Sequence, residues 1–177
     1  MPSPENLLLY LSPEHDAAIR QLFDQLAERG FPRQHQTPHI TLTFSPAMPP
    51  EVVSRAGELL PGLIPATFSR VGTVVFGTKS KQTVAFLLET TEELERAARE
   101  LSALNPDGRG DRWTPHLTVG LRLPRALIPS YLATLDELEF PRELLADRAG
   151  YWRPVQQELT MLAPCPKATS STDSPAT

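Results

Sequence analysis

Apolar residues fall in short runs and short alternations along the 177 residues, and 19 prolines keep every regular stretch brief. Residues 6–11 (Asn-Leu-Leu-Leu-Tyr-Leu) form an apolar run of strand length. Ser12-Pro13-Glu14 then supplies a capping hydroxyl, a proline suited to the first helical position and an acid for the first turn. Ala18, Leu22, Phe23 and Leu26 continue at helical spacing, and Gly30 is a natural stop. From His39 the period drops to two: Ile40, Leu42 and Phe44 alternate with Thr41 and Thr43, so the aliphatic set is expected in the core. Pro49-Pro50 opens a short helix to about residue 60, which Pro61-Gly62 ends.

Residues 66–76 and 83–89 read as strands joined by the hairpin loop 77–81. Thr90-x-x-Glu93 has the form of a capping box, followed by Leu94, Ala97, Ala98, Leu101 and Leu104 on one helical face. Residues 105–108 (Asn-Pro-Asp-Gly) are a loop. Residues 116–123 alternate again, with Leu117, Val119 and Leu121 on one side. A helix is expected over 128–138 and a last strand over 153–162. Residues 167–177 are Ser, Thr, Ala and Pro without periodicity, the composition of a disordered tail. The expected organisation is one domain over 1–163, made of two similar lobes, with a tail over 164–177.

Composition narrows the class. One cysteine, Cys165, excludes an intramolecular disulfide and a Cys-rich zinc site, so a reducing compartment, the cytoplasm, is expected. No apolar run suits a membrane span, and the start Met1-Pro2-Ser3-Pro4-Glu5 has no basic, then apolar, leader. A net charge of -4 argues against a protein that coats long nucleic acid, but leaves room for a small phosphate pocket. Residues 105–125 reverse the balance locally, with Arg109, Arg112, Arg122 and Arg125 against Asp107 and Asp111.

The chain also repeats itself. Thr37-Pro38-His39-Ile40-Thr41 recurs as Thr114-Pro115-His116-Leu117-Thr118; the offset, 116 minus 39, is 77 residues. The same offset lays Leu9 on Phe86, Leu11 on Leu88 and Ala17 on Leu94, strand on strand and helix on helix. Two copies are too few for a solenoid but suit one domain with a pseudo-two-fold axis.

In a strand, residues two apart share a face. His39 and Thr41 therefore point one way, as do His116 and Thr118, while Ile40, Leu42, Leu117 and Val119 point to the core. Two imidazoles and two hydroxyls in one cleft suit phosphodiester chemistry: one His takes a proton, the other gives one, and the hydroxyls bind the non-bridging oxygens. A lone strand His is usually structural, and Thr favours strands anyway. Duplication of the whole Thr-Pro-His-x-Thr unit is what favours chemistry. Zinc is a weaker reading, since neither His39 nor His116 has a carboxylate or Cys at ligand spacing. His35 lies four before His39, a spacing useful on a helix, but this segment carries Pro38 and turns into a strand; His15 in a first helical turn is expected to be solvated.

The paired His39-Ile40-Thr41 and His116-Leu117-Thr118 motifs resemble the 2H phosphoesterase superfamily, and within it the LigT-like group (2′-5′ RNA ligase or RNA 2′,3′-cyclic phosphodiesterase), over roughly residues 5–162. The resemblance implies a bilobal α+β fold, with two antiparallel sheets related by pseudo-two-fold symmetry around a central cleft and helices outside. It implies metal-independent opening of 2′,3′-cyclic phosphates to 2′-phosphates, with no cofactor. His39 and His116 would be the catalytic pair, His39 as acid and His116 as base, and Thr41 and Thr118 would bind the phosphate. An Arg follows the second motif in this group; here Arg122 stands one residue later than that pattern, and a bulge at Gly120 would bring it back. Tyr10 stands where the group often has Phe to stack on a base. Lys79 and Lys81 sit on a hairpin tip within reach of RNA. The expected substrate is an RNA 3′ end or a small cyclic nucleotide, met by a monomer away from membranes. The alternatives are 2′-5′ ligation by the reverse reaction, other substrates such as ADP-ribose cyclic phosphate or RNA 3′ ends to be trimmed, and nucleotide binding without turnover.

Overall fold

The computed structural model describes residues 3–164. The tail expected over 167–177, and Cys165, lie outside the described residues. Seven strands and four helices follow in the order β1 (Glu5–Leu11), α1 (Pro13–Glu28), β2 (His39–Ser45), α2 (Pro50–Leu59), β3 (Ala66–Phe76), β4 (Lys81–Glu89), α3 (Glu92–Leu104), β5 (His116–Pro124), α4 (Ile128–Glu137), β6 (Glu143–Arg153) and β7 (Glu158–Ala163). No described helix is long and apolar enough to cross a membrane.

The strands pair antiparallel in the order β1-β2-β5-β4-β3-β6-β7, and β1 also pairs with β6. Two groups, β2-β1-β6-β7 and β5-β4-β3, are thus joined by the β2–β5 and β3–β6 pairings, with β7 outside the second link. One link is the single pair Ile40–Leu117. The other is the run Ala66–Ser69 against Glu143–Ala146. The two separate sheets expected from the resemblance are therefore one hydrogen-bonded network. The aliphatic face of this network is buried with the helices: Leu7, Leu9, Ile40, Leu117, Val119 and Phe86 share one cluster with Leu22, Leu26, Leu94 and Leu101. At about 25 cal/mol per Å² of apolar surface removed from water, this burial is the main stabilising term.

Helix starts follow their caps, with one shift. Ser12 Oγ accepts from the His15 amide at 3.4 Å as expected. The α3 cap is Thr91, whose Oγ1 accepts from the Leu94 amide, because the Thr90 hydroxyl donates to the Thr67 carbonyl at 2.9 Å. Leu104, expected on the buried face of α3, is exposed at its last turn. His15, expected in solvent, is half-buried, and its Nδ1 accepts the Leu145 amide of β6 at 2.7 Å.

Two strands break their alternation. Leu7 pairs with Thr43 and Leu8 with Thr41, so Leu42 is an inserted residue in β2. Thr43 and Ser45 consequently turn inward, and Phe44, expected in the core, is 50% exposed. In β5, Ala85 pairs with Thr118 and Val84 with Gly120, which inserts Val119; Leu121, expected in the core, is 46% exposed. Gly120 is required there, because a Cβ would stand 2.8 Å from Tyr131 Cε1, in a ring held by its bond to the Val119 carbonyl at 2.5 Å. The strand expected over 153–162 is in fact the end of β6, a turn and β7. β6 itself was hidden by Glu143, Asp147 and Arg148, which interrupt any apolar pattern.

Candidate active site

The pair Ile40–Leu117 positions the site. Extending that antiparallel register one residue each way sets His39 opposite Thr118 and Thr41 opposite His116. Cross-strand partners share a face, so all four side chains lie on one side, opposite to buried Ile40 and Leu117. The two histidines occupy a diagonal of this square, a spacing of about 7–8 Å between diagonal positions.

Each imidazole is oriented by the residue two before it. His39 Nδ1 lies 2.7 Å from the Thr37 carbonyl, and His116 Nδ1 lies 2.7 Å from the Thr114 carbonyl. A carbonyl only accepts, so both Nδ1 atoms carry hydrogen. Nε2 is then the free nitrogen of each ring, a base when neutral and an acid when protonated. Burial lowers the His39 pKa from its ordinary value; the Thr37 bond opposes this and the charge of His116 adds to it. The Phe76 ring packs on His116, with centroids 4.8 Å apart.

Two cavities flank the pair and share Pro4 and Asn6 in their walls. One, of about 840 Å³, reaches from His39 past Tyr10, Arg148 and Trp152. Tyr10 pairs with His39 on one side and with Arg148 on the other, so these three form a row across β2, β1 and β6. The Arg148 guanidinium stands 5.8 Å from the centre of the Tyr10 ring. The second cavity, of about 270 Å³, is lined by Thr41 and His116 together with Phe44, Arg109, Arg112 and Trp113.

The structure thus brings His39, Thr41, His116 and Thr118 to one face, with Tyr10 beside His39. Thr118 lines neither of these two cavities. Arg122 is exposed, has the left-handed φ of 53°, and lines neither of them. Among the described residues no three His, Cys, Asp or Glu side chains group as metal ligands. Sequence reasoning missed Trp152, Arg148 and Phe44 as site residues. The local excess of arginine around Arg109 and Arg112 was the one visible signal for the second cavity.

A family model described as the 2′-5′ RNA ligase superfamily matches residues 11–158. The chain belongs to this superfamily. The match includes both His-x-Thr motifs and both bulged strands, and it indicates an enzyme of the phosphoesterase and RNA ligase kind. A comparison with curated proteins gave no match.

Proposed function

We propose that this protein opens 2′,3′-cyclic phosphates on RNA ends or small nucleotides, leaving 2′-phosphates. The observation that carries this reading is the Ile40–Leu117 register, which sets two histidines with free Nε2 atoms across one face. One neutral imidazole takes a proton from water as its oxygen bonds to phosphorus. The bond from phosphorus to O3′ breaks, and the second imidazole, protonated, gives its proton to O3′. Thr41 and Thr118 donate hydrogen bonds to the non-bridging oxygens as charge builds there.

His39 is the group whose neutral form is favoured in the ligand-free cleft. A bound phosphodiester anion supplies opposite charge and favours the imidazolium. That anion favours the imidazolium of either ring, and the acid's part for His39 with His116 as base rests on the family resemblance. An RNA 5′-hydroxyl in place of water would take the same steps, bonding to phosphorus as O3′ leaves with the proton, and give a 2′-5′ linkage; the concentration of water favours hydrolysis.

We read the two halves as related by a pseudo-two-fold axis. In support, β3 and β6 lie 77 residues apart at both bounds, and the link between Ala66–Ser69 and Glu143–Ala146 maps onto itself under that offset. Hydrolysis of 2′,3′-cyclic AMP with EDTA present, followed by phosphorus NMR, tests the reading. A 2′-phosphate product is expected. A 3′-phosphate product, or turnover only after zinc is added, would contradict it.

A further inference from the structure

We propose that Arg109 and Arg112 form a second phosphate subsite beside the reacting one, so that the preferred substrate is a cyclic phosphate carrying another phosphate group. This rests on the cyclic-phosphate reading above. The two arginines line the 270 Å³ cavity that also contains Thr41 and His116, one histidine and one threonine of the reacting face, while His39 lines the neighbouring cavity.

Eight other arginines, Arg20, Arg29, Arg33, Arg55, Arg96, Arg99, Arg148 and Arg153, are engaged in ion pairs. Arg109 and Arg112 form none among the described residues, nor do Arg70, Arg122, Arg125 and Arg142, but of these six only Arg109 and Arg112 line this cavity. Asp107 lines the same cavity, but its carboxylate accepts from the Ser45 hydroxyl at 2.7 Å, which ties it to β2. Two guanidiniums outside any ion pair, against the single carboxylate of Asp107 in the same wall, suit an anion, and their planar forks match phosphate oxygens.

The loop that carries them is anchored to the strand that carries Thr41. The Asn105 side chain, buried, donates to Thr43 Oγ1 at 2.8 Å and to the Phe44 carbonyl at 2.9 Å. The Trp113 indole donates to the Thr41 carbonyl at 2.9 Å. The Arg109 amide donates to the Ser102 hydroxyl, and Gly108 packs so closely that a Cβ would stand 2.2 Å from the Ser102 carbonyl. The arginines are thus presented from a fixed platform, which lowers the ordering cost of binding. Phe44, turned outward by the β2 bulge, gives the same cavity an apolar wall for a ribose or base.

The second phosphate has two possible sources: a 5′-phosphate on the same nucleotide, or the next phosphodiester of an RNA chain. The test compares kcat/KM for 2′,3′-cyclic AMP, the same compound with a 5′-phosphate, and a diadenosine dinucleotide ending in a 2′,3′-cyclic phosphate. Wild type, Arg109→Gln and Arg112→Gln are used, each checked for an unchanged melting temperature. The expected result is a wild-type preference of roughly ten- to a hundredfold for a substrate with a second phosphate, falling towards none in the variants. The preferred arm identifies the source. Equal rates on all three substrates, or variants that slow all three alike, would overturn the proposal. Calorimetric binding of adenosine 2′-phosphate and adenosine 2′,5′-bisphosphate separates this inference from the reaction itself. If nothing is turned over, tighter bisphosphate binding that the variants abolish still supports the subsite, and equal binding overturns it.

Discussion

The Thr37 and Thr114 carbonyls fix the chemistry open to His39 and His116. By taking the Nδ1 hydrogens they leave one nitrogen per ring for proton transfer. A bell-shaped pH dependence of kcat/KM is therefore expected, reporting a pair with one proton between them; a flat profile from pH 5 to 8 would show that neither imidazole transfers a proton in the slow step. The lowered His39 pKa also acts on stability. Below its ordinary value of 6.5 the unfolded chain takes up the proton before the native state does. Native stability should thus fall as pH drops from 6.5 towards the lower native value, and His39→Ala should flatten that slope in urea titrations; an unchanged slope would contradict the assignment. Adenosine 2′-phosphate should move the His39 NMR titration upward. At this scale the His-x-Thr residues were legible in the sequence because they recur whole. Phe44 and Leu121 were not, because counting by twos fails across an inserted residue, and nothing in the sequence marks Leu42 or Val119 as inserted.

Elements around the site are held by a few buried polar bonds. Asn105→Ala would leave the buried Thr43 hydroxyl and the Phe44 carbonyl without their partner, so a loss of about 1–3 kcal/mol is expected by urea denaturation. Gly120→Ala forces a methyl against the fixed Tyr131 ring and should cost about 1–3 kcal/mol, with a loss of activity since Gly120 lies two residues from Thr118. Stability within a few tenths of a kcal/mol of wild type would contradict either account. Most element positions were readable from period and caps. β6 was not, since its charged residues erase the alternation. The repeat held the missing signal: the 77-residue offset applied to β3 (Ala66–Phe76) gives 143–153, the bounds of β6.

Across the whole molecule, each half contributes one His-x-Thr strand, and the halves are joined by the β1–β6, β2–β5, β3–β4 and β3–β6 pairings. Long-range pairing of this kind is invisible to local pattern, and the expectation of two sheets rested on the family resemblance alone. It predicts one cooperative unfolding transition. Trp113 bonds to the Thr41 carbonyl and Trp152 pairs with Asn6, so each reports on contact between the halves. Single-tryptophan variants, Trp113→Phe and Trp152→Phe, should each melt at one temperature by fluorescence and circular dichroism; split transitions would show halves that unfold independently. The central claim is that the two halves supply one proton-transfer group each to a single reaction. The direct test is turnover of a 2′,3′-cyclic nucleotide by wild type, His39→Ala and His116→Ala, with the fold of each variant verified. A fall in kcat of about two to four orders of magnitude in both variants is predicted. Near wild-type turnover by either one would contradict the paired mechanism.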